Sequence, residues 1–111
     1  MMFLSVNVMK RLLKASAALE KLLNLEKIDI ALFQETDIRP NENPPVIKGY
    51  SPITHRNGAG VARAIIYAKE SLKPTQIEWR DELPIVIIRL RDLTIINIYN
   101  EFTLNSFANE S

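Results

Sequence analysis

Cysteine is absent from this 111-residue chain, glycine occurs three times, and histidine and tryptophan occur once each. The lack of cysteine excludes disulfides, thiolate zinc sites and a cysteine nucleophile, and is compatible with a reducing compartment. A single histidine, His55, cannot build a zinc site alone and is thin support for a Ser–His–Asp arrangement. The GAG at 58–60 is too short for a phosphate cradle and serves a turn, where glycine supplies positive φ. No stretch approaches the roughly 20 apolar residues of a membrane span. The opening MMFLSVNVMKRLL is apolar and then basic, the reverse of a secretory signal. A net charge of +1 supplies no global field toward nucleic acid or acidic lipid, so any phosphate affinity must be local.

What is present is an ordinary globular balance, 47% apolar and 24% charged, sized for one domain or a large piece of one. Residues 3–8 alternate as a short strand. From Met9 to about Leu25 the period becomes helical, with Leu12, Ala15, Leu19 and Leu22 on one stripe. Lys10, Lys14 and Lys21 lie off that stripe, and the basic run Lys10, Arg11, Lys14 reads as a solvated face. Asn7 suits the helix N-cap and Asn24 its end. Residues 28–34 form a second strand, apolar on both faces and therefore covered on both. A loop, DIRPNENPP, occupies 37–45. Strands are then predicted at 50–55 and 61–68, around an Asn57–Gly58 hairpin signal, and at 75–79, 85–90 and 93–99. Arg91–Asp92 joins the last two. The expected architecture is a strand–helix–strand unit followed by an antiparallel meander, without a linker to mark a second domain.

Polar residues close three of these strands: Asn7 the first, Glu35 the second and Tyr99 the last, with Asn97 on the same face as Tyr99. Sites in α/β sheets gather at the carboxyl ends of strands. A carboxylate and an amide oxygen suit a hard cation such as Mg²⁺, which can clamp a phosphate. A tyrosine hydroxyl nearby could hydrogen-bond that phosphate. Each residue also has a plainer explanation. Asn7 could simply cap the helix, Glu35 could face solvent or pair with Arg39 or Arg56, and Tyr99 could be a half-buried strand aromatic. Trp79, in IEWRDE, could stack on a base or sit half-buried in its strand.

The order of the pieces carries a resemblance. A strand ending in Asn, a helix, "DIALFQET", "GY", the glycine-turn strand "GAGVARAIIYAKESL" and then "LTIINIY" resemble the amino-terminal half of the endonuclease/exonuclease/phosphatase family. Within it they are most similar to the apurinic-type endonuclease domain of non-LTR retrotransposons. The resemblance runs from about Phe3 to Phe102. It implies an α/β fold, half of a four-layer α/β/β/α sandwich, with residues 1–111 forming a single partial domain. It further implies Mg²⁺-dependent phosphodiester hydrolysis, with Mn²⁺ as a substitute and DNA as partner. Asn7 and Glu35 then become metal ligands and Tyr99 the catalytic residue touching the scissile phosphate. The implied location is intracellular, nucleus or cytoplasm.

The departures from the family pattern are also legible. After Tyr99 the chain continues with Asn100, Glu101 and Phe102, where many relatives carry a small residue and a proline. The Asp-x-Asn motif and the Ser-Asp-His ending that activate water are not in these 111 residues. The expectation is a truncated domain whose inner sheet face is left bare, to be covered by self-association or by a missing carboxyl-terminal half. Two alternatives stand beside a retroelement DNA endonuclease. One is a non-catalytic module or pseudogene product. The other is a phosphatase of the same fold acting on a phospholipid or inositol phosphate.

Overall fold

The computed structural model describes residues 1–78 and 83–99. Trp79 and the segment from Asn100 onward, on which some of the expectations fall, lie outside the described residues. Strand β1 (Phe3–Asn7) leads into helix α1 (Leu12–Leu25) and then β2 (Ile30–Ile38). Strands β3 (Tyr50–Thr54), β4 (Ala62–Lys69), β5 (Thr75–Ile77), β6 (Ile85–Leu90) and β7 (Leu93–Ile98) follow, with a 3-10 turn at Glu70–Leu72.

The strand–helix–strand unit is as expected, with β1 and β2 parallel and in register from Phe3↔Ile30 to Asn7↔Gln34. The later strands do not form one meander. β3 and β4 join the first unit in a four-stranded sheet of order β1-β2-β4-β3, and β5-β6-β7 make a separate antiparallel sheet. The break falls where Glu70–Leu72 and the left-handed Lys73 (φ 49°) turn the chain out of β4.

Alternation explains how the layers stack. Ala31 and Phe33 of β2, with Ile65 and Tyr67 of β4, point to the helix side and pack with Leu12 and Leu23. Ile30 of β2, with Ala64, Ile66 and Ala68 of β4, points the other way and packs against Val86, Ile88, Leu90 and Ile95 of the second sheet. Each fully buried Ile, Leu or Phe contributes about 1.5–3 kcal/mol, so these two cores hold three layers, α/β/β, together. Phe33 and Tyr67 add a tilted ring pair at 5.5 Å.

Several expectations are corrected here. The helix begins at Leu12, not Met9, because Met9 and Lys10 adopt left-handed φ values of 52° and 62° and form a turn. Asn7 is therefore not the N-cap. That place falls to Arg11, with no side-chain cap, while Asn7 Oδ1 accepts the Met9 N–H at 2.9 Å. The buried stripe ends on Leu23 rather than Leu22, which is 40% exposed. Asn24 does sit near the helix end, donating to the Glu20 carbonyl at 2.8 Å. The inner face of the four-stranded sheet is not bare over β2 and β4, since the second sheet covers it. It is bare over β1, where Phe3 is 44% exposed. Among the described residues the outer face of the second sheet is also open, with Ile96 52% and Ile98 55% exposed.

In the connection between β3 and β4, Gly60 (φ +79°) takes the left-handed conformation. A Cβ there would sit 3.1 Å from Pro40, so glycine also lets the loop after β2 come close. Arg56 clamps the same region, donating to the carbonyls of Arg39, Glu42 and Gly60. Among the described residues no helix is long and apolar enough to cross a membrane.

Candidate functional site: a bulged strand against a tyrosine

Glu35 does not end β2; it lies inside it. Pairing with β4 steps from Gln34↔Ala64 to Ile38↔Ala62, so β2 spends two more residues than its partner across this interval. Glu35 (φ 56°) and Asp37 (φ 51°) take left-handed conformations within that bulge. Such backbone costs about 1–3 kcal/mol per non-glycine residue and persists only where surrounding structure enforces it. Thr36, 3% exposed, supplies part of that enforcement by donating its hydroxyl to the Ala62 carbonyl at 2.8 Å. The end of β1 supplies more: the N–H of Val8 bonds the Gln34 carbonyl at 3.0 Å and that of Lys10 the Glu35 carbonyl at 2.8 Å.

The bulge sets where the carboxylate points. In an unbroken strand residue 35 would follow 31 and 33 onto the helix face. Instead Glu35 reaches Tyr99, which packs on the inter-sheet core. The Tyr99 hydroxyl donates to Glu35 Oε1 over a long 3.4 Å. A cavity of about 70 Å³ is lined by these two together with Lys10, Asp37 and Arg63. Thus two carboxylates, two cations and one tyrosine line the same small cavity. The cationic neighbours of Glu35 are Lys10 and Arg63, while Arg56 is engaged with backbone carbonyls.

Asn7 stands one step away. It lines an adjoining groove of about 500 Å³ between β1, β2 and β7, with Ser5, Gln34, Asn97 and Tyr99. The structure therefore joins Glu35 directly to Tyr99, and joins Asn7 to them through the groove that Tyr99 shares.

Two amides were not singled out as site residues from sequence. Gln34 Nε2 donates to Asn97 Oδ1 at 2.8 Å and to Ser5 Oγ at 3.1 Å. Asn97 is 2% exposed and donates to the carbonyls of Phe33 and Ile65, both at 3.0 Å. Their signal was the polar residue inside an otherwise apolar strand, in "LFQE" and "IINIY".

The donor chemistry bears on what the cavity can hold. Among the described residues no group of three or more His, Cys, Asp or Glu side chains could hold an ion. Glu35 and Asp37 offer oxygens only, which suits a hard cation that keeps most of its water. A volume of about 70 Å³ is enough to admit water.

A layered α/β/β fold with its polar site at a bulge in β2 beside the end of β7 defines the architecture, and comparison with solved structures places it. No protein-family model matches the chain, and no curated protein matches it. The fold is similar to the endonuclease domain of TRAS1, a telomere-specific non-LTR retrotransposon, with a TM-score of 0.52 and 22% identity. The alignment covers 97% of this chain and 50% of that one, so the chain spans half the length of that domain. The expected α/β sandwich half is thus the fold observed.

Proposed function

We propose that this chain carries the metal- and phosphate-binding end of a Mg²⁺-dependent endonuclease fold, with DNA as its substrate class. The observation that carries the reading is the convergence of Glu35 and Tyr99 at a strained bulge between the sheets, in a fold similar to a retroelement endonuclease domain. Glu35, aided by Asp37 and by the amide of Asn7 across the groove, would hold the ion. Held by these residues, Mg²⁺ (or Mn²⁺) would supply charge neutralisation at a phosphate. Tyr99 donates its hydroxyl to a phosphate oxygen. Lys10 and Arg63, on the wall of the same cavity, oppose the remaining negative charge.

The test is plasmid nicking with Mg²⁺, comparing the chain with its Glu35→Ala variant. Loss of a positioned charged group costs a factor of about 10² to 10³ in rate, so the variant should be silent. Nicking that the substitution leaves unchanged would refute the assignment.

A second reading, a non-catalytic module, is favoured by one observation. Among the described residues, no histidine lines the cavity to take a proton from water; His55 lies in the connection after β3. That reading predicts neither nicking nor a Mg²⁺-dependent rise in melting temperature. The first predicts a rise that Glu35→Ala removes.

A further inference from the structure

We infer that Asn97 is the positioning residue of the site: its side-chain amide sets the Tyr99–Glu35 contact by locking β7 onto the β2–β4 pair. Asn97 is buried between two apolar sheets, at 2% exposure. A buried amide costs several kcal/mol unless its groups are partnered. Here both donors and the acceptor are used. The amide nitrogen donates to the carbonyls of Phe33 and Ile65, and Oδ1 accepts from Gln34 Nε2. The orientation follows from this set, because a flipped amide would press its oxygen against two carbonyl oxygens.

The placement of those partners is what matters. Phe33 and Ile65 are opposed residues of β2 and β4, so the amide straddles one rung of the ladder between them. Tyr99 lies two residues beyond Asn97, and Glu35 lies two residues beyond Phe33. Anchor and contact are therefore two residues apart in sequence on both sides, with the bulge turning Glu35 toward Tyr99, and the lock at Asn97–Phe33 is read out at Tyr99–Glu35. The apolar contacts around it, Val86, Ile88 and Ile95 against Ile30 and Ile66, are non-directional and leave the sliding position of β7 undetermined. Asn97 supplies the direction at β7, as the Gln76 amide, donating to the Thr54 carbonyl at 2.7 Å, does at β5 on the far side of the same sheet. The residue rests on the proposed site only in that the Glu35–Tyr99 pair is taken as its working pair.

The test needs neither metal nor activity, so it fails or succeeds independently of nicking. The full chain is labelled at tyrosine Cζ with ¹³C, giving one NMR resonance for each of its three tyrosines, Tyr50, Tyr67 and Tyr99. Tyr99→Phe assigns the site resonance. In the otherwise unaltered chain Glu35→Gln should shift the Tyr99 resonance and leave the other two in place. In the Asn97→Leu background the same substitution should no longer shift it. Ile88→Ala, in the same inter-sheet core, is the control for simple loss of stability. It should lower the melting temperature and keep the Tyr99 response. If Asn97→Leu does not fold, Asn97→Ser carries the comparison. A Tyr99 response that survives in the Asn97 variant, or one that Ile88→Ala abolishes equally, overturns the proposal. So does the absence of any response in the unaltered chain.

Discussion

The two sheets are built from similar isoleucine- and valine-rich strands and meet different fates. The four-stranded sheet is sealed over β2 and β4, with α1 on one face and the second sheet on the other; Ala31, Phe33, Ile65 and Tyr67 are all at 0% exposure. The three-stranded sheet is sealed on one face. Along β7, Ile95 and Asn97 are buried while Ile96 and Ile98 are more than half exposed. An apolar residue in a strand therefore says that the strand is a strand, and says little about whether its face is covered. The site lies where the sealed sheet departs from regular pairing and the half-sealed one ends.

Five substitutions would break or sharpen this contrast, from the largest effect to the smallest. Phe33→Ala, in the sealed sheet, should cost about 3–5 kcal/mol by urea unfolding, because the cavity left between helix and sheet cannot collapse fully. A loss under 1 kcal/mol would mean that the helix layer is loosely held. Thr36→Val should cost about 1–3 kcal/mol, since it removes the donor to the Ala62 carbonyl inside the bulge.

Tyr67→Phe tests the sealed face through pH. Burial pushes the Tyr67 hydroxyl well above its ordinary value of 10.0. The hydroxyl also donates to the Pro45 carbonyl at 2.6 Å. A group whose folded pKa is raised gives stability that is fully present below its unfolded value and lost as pH rises above it. Urea midpoints should therefore hold up to about pH 9, fall as pH rises through and beyond about 10, and fall less in Tyr67→Phe. Tyr50 contributes in the same direction, raised by burial and then by the carboxylate of Asp29.

Glu35→Gly should stabilise the chain by about 0.5–1 kcal/mol, by relieving a left-handed glutamate, while abolishing any Mg²⁺-dependent rise in melting temperature. A destabilised variant would show that the carboxylate holds the bulge rather than the reverse. Ile98→Thr, on the open face, should leave stability within about 0.5 kcal/mol.

Much of the fold was legible because it follows from period. The helix stripe, the alternation of β1 and the doubly apolar β2 predicted the parallel unit and its covering layers. Polar residues at expected strand ends marked Asn7, Glu35 and Tyr99; the structure brings Glu35 to Tyr99, although Glu35 proves to lie inside β2 rather than at its end. What was not legible arises from pairing between distant strands. The bulge at 35–37 is a register shift against β4, with no proline or glycine to announce it. The turn at Met9–Lys10 likewise uses left-handed residues that are not glycine, so the helix looked longer than it is and Asn7 looked like its cap. The division of the later strands between two sheets depends on which faces meet, and alternation is the same in either case. Asn97 resembled one more strand residue until its two carbonyl partners, 64 and 32 residues away in the chain, were in view.

The left-handed backbone at residue 35 separates two selection pressures that usually act together. Chain geometry there favours glycine or asparagine, whereas chemistry calls for a carboxylate on a long stem. A chain that uses the proposed carboxylate carries backbone strain in order to keep it, and one with glycine in its place would be slightly more robust and unable to hold a cation there.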